Sequence, residues 1–363
     1  MATQNPSFPT ASTPAKRFVQ GLLCWNETEN ERQMPWKGEK NPYRIWLSEI
    51  ILQQTRVEQG RAYYERFIRT FPTVQELAAA PEQAVFKLWE GLGYYSRCRN
   101  LITAAKTISE ERGGEFPADY ETILSLKGVG PYTAAAIASF AYNLPHAVLD
   151  GNVFRVLSRI FAIETPIDST EGKKLFTKVA QSLLPKGKAG EYNQAIMDFG
   201  ATICKPVPEC ASCFFNNHCA AFKLNRQALL PVKEKKTLIR ERWFHYVILQ
   251  HKDRIAIRQR KAKDIWQSLY EPLLIEGEKT LSKAQLLLHL EKEHKLKAKT
   301  LEVISAAAQR TQKLSHQTIH FSFLHLQIKD SFILPDYSWV SIAELGGYPF
   351  PKTLHEFLSK NLG

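Results

Sequence analysis

No apolar run in this sequence approaches the roughly 18 residues that a bilayer crossing requires. The stretch from Met1 to Lys16 is rich in Ser, Thr, Pro and Gln and has no apolar centre, so it does not read as a secretory signal. The expectation is a cytosolic chain. Cysteine is scarce, with 6 in 363 residues. In a reducing compartment those thiols should be free, metal-bound or buried rather than paired. Also missing are a Gly-x-x-x-x-Gly-Lys-Ser/Thr loop, a His-Glu-x-x-His pair and a Gly-x-Ser-x-Gly turn. ATP hydrolysis, zinc proteolysis and serine esterase chemistry lose support accordingly. Gly91-Leu92-Gly93-Tyr94-Tyr95-Ser96 comes near a dinucleotide fingerprint but lacks its third glycine and follows a helical rather than a strand pattern. No internal repeat at solenoid spacing is present.

What the chain has in excess is positive charge: 48 Lys and Arg against 36 Asp and Glu, a formal net charge of +12. That balance favours a polyanionic partner, nucleic acid first. Apolar residues at 44% and charged residues at 23% allow a sizeable core and argue against global disorder. The length is that of about two domains.

From Pro14 to Phe222 the pattern is helical. Apolar residues recur at helical spacing in Phe18–Leu22, Ile45–Leu52, Tyr63–Phe71, Val85–Trp89 and Leu101–Ile108, with Gly and Pro at the breaks. Thr133–Tyr142 suits a buried helix. The character changes near Leu230-Pro231, where a charged stretch reads as a linker over 231–242. Strand-like runs follow at Trp243–Gln250, Arg254–Arg258 and Thr318–Ile328, with helices over Leu281–His294 and from Thr353. In the last strand the apolar positions shift phase between Phe323 and Leu324, which suggests a bulge. The fold expected is multidomain: an all-α domain over 1–230 and an α+β domain over 243–363.

Three groups of residues carry chemistry. Cys204, Cys210, Cys213 and Cys219 are separated by five, two and five residues, close enough to surround one metal centre. Tetrahedral zinc and a [4Fe–4S] cluster are both compatible with that spacing; two disulfides are the alternative the compartment disfavours. Cys24 and Cys98 stand alone in helical patterns and read as buried fillers. Leu126-Lys127-Gly128-Val129-Gly130-Pro131-Tyr132-Thr133 sits between two helical runs, so residues 122–143 read as a helix-hairpin-helix. Gly128, Val129 and Gly130 form a tight turn, and Pro131 starts the next helix. Outward N–H groups at such a helix start attract a phosphate; an ordinary helix–helix turn is the plain alternative. The third group is a pair of carboxylates. Glu49 lies among Ile45, Trp46, Leu52 and Gln53 on a helix, where a carboxyl tends to keep its proton. Asp150 follows an apolar run and precedes a helix holding Arg155 and Val156, which it can cap. A solvated face and a plain cap are the ordinary readings of the two. His316, His320 and His325 read as surface or packed histidines of a strand.

Taken together, Arg32–Trp36, Trp46–Val57, Trp89–Asn100, Leu126–Ala136, Asp150–Arg155 and Asn193–Cys219 resemble the endonuclease III superfamily, most closely the MutY-type adenine DNA glycosylases. The resemblance implies a bacterial-type, cytoplasmic, nucleoid-associated monomer. Such an enzyme acts in base excision repair on double-stranded DNA with adenine opposite 8-oxoguanine or guanine. It also implies one [4Fe–4S] cluster held by Cys204, Cys210, Cys213 and Cys219. By the same resemblance Glu49 protonates the adenine and Asp150 stabilises the sugar cation. Tyr132 and Asn152 support them, and Arg32 and Trp36 line the adenine pocket. Gln54, Leu92 and Tyr94 intrude at the 8-oxoguanine. The C-terminal region resembles the Nudix-like 8-oxoguanine reader of these enzymes. Ser315 and His316 fall in its Phe-Ser-His loop, here with Leu314 in place of Phe. No Arg-Glu-x-x-Glu-Glu run is present, so a reader rather than a pyrophosphatase is implied. The cysteine loop departs from the family in having five rather than six residues between its first two cysteines. The nearest rival, a bifunctional glycosylase/lyase, needs a lysine where Tyr132 stands. A non-enzymatic DNA-binding or redox-sensing protein is the rival from another class.

Overall fold

The computed structural model describes residues 13–234, 238–329 and 333–362. The chain divides into two compact units: residues up to 79 with 100–235, and residues 80–99 with 236–363. The division does not follow sequence order, since 80–99 joins the C-terminal residues.

The described helices of the N-terminal region are α1 (Thr13–Thr28), α2 (Pro42–Leu52), α3 (Val57–Thr70), α4 (Val74–Ala79), α5 (Glu82–Trp89), α6 (Tyr95–Glu111), α7 (Tyr120–Ser125), α8 (Pro131–Tyr142), α9 (Gly151–Ile160), α10 (Thr170–Leu183), α11 (Ala189–Thr202) and the short α12 (Ala220–Lys223). No described helix is long and apolar enough to cross a membrane. Polar caps account for several of the starts. Asn41 accepts from the N–H groups of Tyr43 and Arg44 ahead of α2, Asp119 from Thr122 ahead of α7, and Ser169 from Gly172 ahead of α10. Helices α8 and α2 are buried nearly all round: Thr133, Ala134, Ala135, Ala136, Ile137, Ala138 and Ser139 of α8 are all inside, as are Ile45, Trp46, Leu47, Ser48, Glu49, Ile50 and Ile51 of α2. Small side chains let neighbouring helices come close. A Cβ at Gly190 would lie 2.7 Å from the Ser139 carbonyl oxygen, so α11 can rest on α8 only with glycine there. Around this centre pack Phe18, Leu22 and Trp25 of α1, Val156 and Leu157 of α9, Phe176 of α10, and Tyr192 and Phe199 of α11. Each such large side chain contributes about 1.5–3 kcal/mol on burial.

The second unit holds β1 (Arg240–His251), β2 (Arg254–Gln259), β3 (Tyr270–Glu271), β4 (Leu273–Gly277), α13 (Lys283–His294), β5 (Leu301–Lys313), β6 (Gln317–Ile328), β7 (Ser338–Ser341) and α14 (Lys352–Leu362). Seven strands form one sheet in the order β3-β2-β1-β6-β5, with β4 also on β1 and β7 on β2. β1 and β6 run parallel; the other pairs are antiparallel. Ser282 and Gln285 close a capping box at the start of α13.

The structure departs from the sequence reading in several places. The phase shift in β6 is not a bulge. Leu324, Leu326 and Ile328 point to one face and join Leu286 and Leu290 of α13 in a core. Phe323, on the other face, stacks on Phe357 of α14 with ring centroids 3.9 Å apart. Both faces of the strand are therefore covered, and the register shifts fall on β5, between Val303 and Ser305 and between Ala307 and Arg310. β5 itself lacks apolar alternation and was not expected. Cys24 is exposed, whereas Cys98 is buried. His316 precedes β6 rather than lying on it. Within 231–242, the Val232 carbonyl accepts from the Ile167 N–H at 3.0 Å, and Arg240 to Arg242 already belong to β1.

Candidate active site

A cleft of ≈ 750 Å³ opens in the helical unit, lined among others by Arg32, Trp36, Glu49, Gln54, Tyr132, Asp150 and Asn152. Seven residues singled out from separate stretches of the sequence thus face one space, of the size usual for a small-molecule pocket. Three helices deliver four of them: α2 brings Glu49, the start of α8 brings Tyr132, and Asp150 and Asn152 stand at the start of α9.

Glu49 is 6% exposed. Burial pushes its carboxyl up to about 7; the Tyr132 hydroxyl, which donates to it, pulls the other way, and the Asp150 charge adds to the rise. Asp150 is the N-cap of α9. One carboxylate oxygen accepts from the Val153 N–H at 2.7 Å, and the other from the Asn152 side-chain amide at 3.0 Å. Burial raises its pKa as well, and those hydrogen bonds oppose the rise. The two carboxyls therefore differ in environment. Glu49 is held mainly by desolvation, whereas Asp150 receives donors that favour its anion. Beyond them, Asn152 accepts from Arg155 at 2.7 Å. Arg155 also donates to the carbonyls of Gly200 at 2.7 Å and of Cys204 at 2.8 Å. A Cβ on Gly200 would lie 2.7 Å from that of Asn152, so glycine lets α11 close on the start of α9.

The wall bearing Arg32 and Trp36 is a loop between α1 and α2. Trp36 meets the Tyr64 ring edge-on, centroids 5.4 Å apart. The loop is tied down by Asp198 of α11, which is fully buried. Asp198 accepts from Arg32 at 2.7 Å, Asn30 at 2.9 Å and Gln194 at 3.0 Å, and Lys37 lies 3.1 Å away. The sequence reading missed Asp198, although a lone acid between Met197 and Phe199 is the same signal that exposed Glu49.

The helix-hairpin-helix turn lies apart from the cleft lining, in the same unit. Gly128 has φ +82°, and a Cβ there would stand 2.6 Å from that of Asn100, so only glycine fits this turn. Val129 is buried. Gly130 caps α8 and Pro131 is its first residue, which leaves the helix start free of a side-chain cap.

Cys204, Cys210, Cys213 and Cys219 line one cavity with Arg159 and Phe215, and none is in a disulfide. No group of three or more His, Cys, Asp or Glu among the described residues is arranged to hold a metal ion. Burial raises the pKa of Cys210 and Cys219 and pushes Cys213 up to about 11, with the neighbouring thiols adding to the rise. Four thiolates there thus require a cationic group to compensate them. Arg159, a second residue missed from the sequence, is buried and serves the loop. It donates to the Lys205 carbonyl at 2.6 Å, the Pro206 carbonyl at 2.9 Å and the Cys204 sulfur at 3.5 Å.

The remaining candidates lie in the second unit. Leu92 is 6% exposed and Tyr94 38%, so the tyrosine is the side chain this turn presents. The Tyr94 and Ser315 hydroxyls are hydrogen-bonded to each other. Both line a cleft of ≈ 570 Å³ with His316, Lys263, Trp266 and Lys313. The turn 91–96 and the loop 314–316, more than 200 residues apart in sequence, are thereby brought together.

Residues 47–182 match the family described as HhH-GPD superfamily base excision DNA repair protein, and residues 245–360 match a NUDIX domain. The chain is similar to an adenine DNA glycosylase of Buchnera aphidicola subsp. Baizongia pistaciae, 35% identical over 308 residues, which are 84% of this chain and 84% of that one. It is similar to an adenine DNA glycosylase of Homo sapiens, 41% identical over 214 residues, 56% of this chain and 39% of that one. Among solved structures it is similar to a thermostable thymine-DNA glycosylase, with a TM-score of 0.54 and 29% identity, over 58% of this chain and 97% of that one.

Asp198→Asn keeps the shape of the side chain but leaves Arg32 and Lys37 facing a neutral amide. The expected loss is about 3 kcal/mol, the low end for breaking a buried pair, because both cations keep part of their surface in water. Urea unfolding followed by tryptophan fluorescence measures it; an unchanged midpoint would mean that the loop is held by something else.

Proposed function

The chain belongs to the adenine DNA glycosylase family, within the HhH-GPD superfamily of base excision DNA repair proteins, and we propose that it removes adenine mispaired with 8-oxoguanine or guanine from duplex DNA, acting as a monomer. It is a hydrolase, a DNA N-glycosylase of base excision repair. The observation that carries the proposal is the pairing of two buried carboxyls of unlike environment, Glu49 and Asp150, in one cleft with Tyr132 donating to Glu49.

In a duplex the adenine is stacked and must be flipped out to reach such a cleft. Arg32 and Trp36 then line the space around the base. Glu49 gives its proton to a ring nitrogen of the adenine. The glycosidic C–N bond breaks and its electron pair leaves on the base. The positive charge left on the sugar faces Asp150, whose anion is favoured by Val153 and Asn152. Water adds to the sugar carbon, and its released proton restores the carboxyl pair. This is the two-carboxylate logic of glycoside hydrolysis. Tyr132 cannot form an imine with the sugar, so the product is an intact abasic strand. Incubation with a duplex holding one adenine opposite 8-oxoguanine should therefore give strand scission only after alkali. Scission without alkali, or none after it, would defeat the proposal.

The acid must be protonated to act. Glu49 holds its proton below about 7, so single-turnover excision should be level just below that pH and fall roughly tenfold per unit above it. Glu49→Gln removes the transferable proton and should abolish excision while duplex binding persists; a fully active variant would remove Glu49 from the mechanism.

The four cysteines fit a [4Fe–4S] cluster. They are free, share one cavity and form a donor set that needs cationic compensation. A cluster is a larger body than one ion, so its four thiolates need not converge on a single point. Cys204, Cys210, Cys213 and Cys219 would hold it, and it would supply a structural staple for the loop. About four irons per chain are expected by elemental analysis, and Cys210→Ser should lower iron content and DNA affinity together. Stoichiometric zinc would point to the other metal.

Recognition of 8-oxoguanine is assigned to Tyr94, Ser315 and His316, supported by their common cleft, with Gln54 acting from the helical unit and Gly128, Val129 and Gly130 on the backbone. Leu92 stands inside the turn. Replacing Ser315 and His316 together by Ala should lower the preference for adenine opposite 8-oxoguanine over adenine opposite guanine by about tenfold, roughly 1–3 kcal/mol for a polar contact to the base edge. Excision compared on the two duplexes decides it; an unchanged ratio would take the reader role from this loop.

A further inference from the structure

His316 lines the second unit's cleft, and its ring is held from behind. The Gln317 side-chain nitrogen lies 3.1 Å from His316 Nε2. Which of the two carries the hydrogen is settled one step further back. Gln317 is buried and faces Arg242, also buried. Arg242 Nη1 lies 3.2 Å from Gln317 Oε1. A guanidinium only donates, so the amide atom in front of it must be the oxygen, which leaves the NH2 to face His316. An NH2 group has no lone pair to offer, so His316 Nε2 must be the acceptor. In the neutral ring the proton then sits on Nδ1.

Arg242 has no freedom to relax this arrangement. Its Nε donates to Glu276 at 2.7 Å, and Nη2 to Glu276 at 2.9 Å and to Asp264 at 3.2 Å. Nη1 donates to Asp264 at 3.0 Å as well as to Gln317. All five N–H groups are used. The guanidinium also lies over the Phe244 ring, 4.5 Å from its centroid. Asp264 and Glu276 thus orient Arg242, which orients Gln317, which orients His316.

We propose that Arg242 and Gln317 are positioning residues that fix His316 as its Nδ1–H tautomer, so that the ring offers an N–H donor to an oxygen acceptor on the lesion-bearing strand. This deepens the reading of the second unit as the 8-oxoguanine reader and rests on it. Two oxygens have the required chemistry: the carbonyl at C8 of 8-oxoguanine, which guanine lacks, and a phosphodiester oxygen, which every duplex has. Asn or Ser in place of Gln317 would not reach both neighbours, so the length of this side chain is part of the device.

The test uses the full-length protein with 15N-labelled histidine, the His316 signals being assigned by their loss in His316→Ala. In the unaltered protein Nε2 should show the shift of an unprotonated, pyridine-type nitrogen and Nδ1 that of an N–H. In Gln317→Glu, which keeps a carboxylate oxygen for Arg242, the other oxygen faces the ring, and Nε2 should become an N–H. Gln317→Met leaves Arg242 bound to Asp264 and Glu276 but frees the ring. Excision and binding are then compared on duplexes with adenine opposite 8-oxoguanine and opposite guanine. If the acceptor is the 8-oxo carbonyl, Gln317→Met should cut the preference about two- to tenfold. If it is a phosphodiester, affinity for both duplexes should fall by a similar factor with the preference intact. A proton on Nε2 in the unaltered protein would overturn the proposal. So would Gln317→Met with unchanged tautomer, preference and affinity while His316→Ala is impaired. Failure of the underlying reading looks different: His316→Ala itself would then leave both duplexes unaffected.

Discussion

A carboxyl group kept out of water organises the helical unit. Glu49 sits on a helix whose neighbouring side chains are almost all apolar, and burying a carboxylate without partners is expensive enough that the group keeps its proton instead. The unit meets this cost with few concessions. Tyr132 donates one hydrogen bond, and Asp150 stands near enough to resist a second negative charge. The elements that build the cleft follow from that requirement. α8 carries no charged side chain, α2 packs against it, and the start of α9 brings a second carboxyl whose own donors keep it ionised in preference to the first. The same burial that raises the Glu49 pKa also makes the cleft a place where a transferred proton and a developing cation are strongly felt.

α11 shows how one helix serves several sites through backbone and side-chain contacts. Gly190 admits α8 and Gly200 admits Asn152. Asp198 anchors the loop that carries Arg32 and Trp36. From the end of α11 the chain runs directly into the cysteine loop, where the Cys204 carbonyl takes a hydrogen bond from Arg155. A continuous series of hydrogen bonds therefore leads from Asp150 through Asn152 and Arg155 to the cysteine loop, so the loop and the start of α9 share their supports.

The second unit solves a different problem with the same means. Its cleft holds hydroxyl, imidazole, aromatic and ammonium groups, a set suited to a polar base edge and its phosphates. Beside it lies a dense set of charges, Arg242, Arg258 and Arg260 against Asp264, Glu271 and Glu276, of which Asp264 also lines the cleft. These ion pairs, part-buried and with Glu276 exposed, add little net stability; their effect here is to hold Arg242 in one orientation. The arrangement passes through buried Gln317 and ends at the surface in His316.

Much of this was legible in the amino-acid order. Helical periodicity, glycine and proline at the breaks, and the change of character near Pro231 are local properties, and the backbone obeys them because each is set by sterics and burial within a few residues. Glu49 and Asp150 stood out for the same reason: a carboxyl among apolar neighbours and a carboxyl before a helix are both visible in one dimension. The turn Gly128-Val129-Gly130-Pro131 and the four cysteines were equally local. What sequence could not decide was which distant segments share a space. β5 has no alternation to announce it, because its bulges and edge position break the period. β6 appeared to slip because both of its faces are covered. Asp198, inside α11, and Arg159, in the last turn of α9, are charges whose partners lie 166 and 46 residues away, and no local rule pairs them. The joining of Tyr94 to Ser315, and the placing of residues 80–99 with the C-terminal unit, likewise depend on packing. Local sequence determined most of the elements and most of their reactive groups, though not β5, Asp198 or Arg159. Only the tertiary structure decided which groups meet, because the cost of burying a charge or a polar group is settled by whatever partner the rest of the chain brings to it.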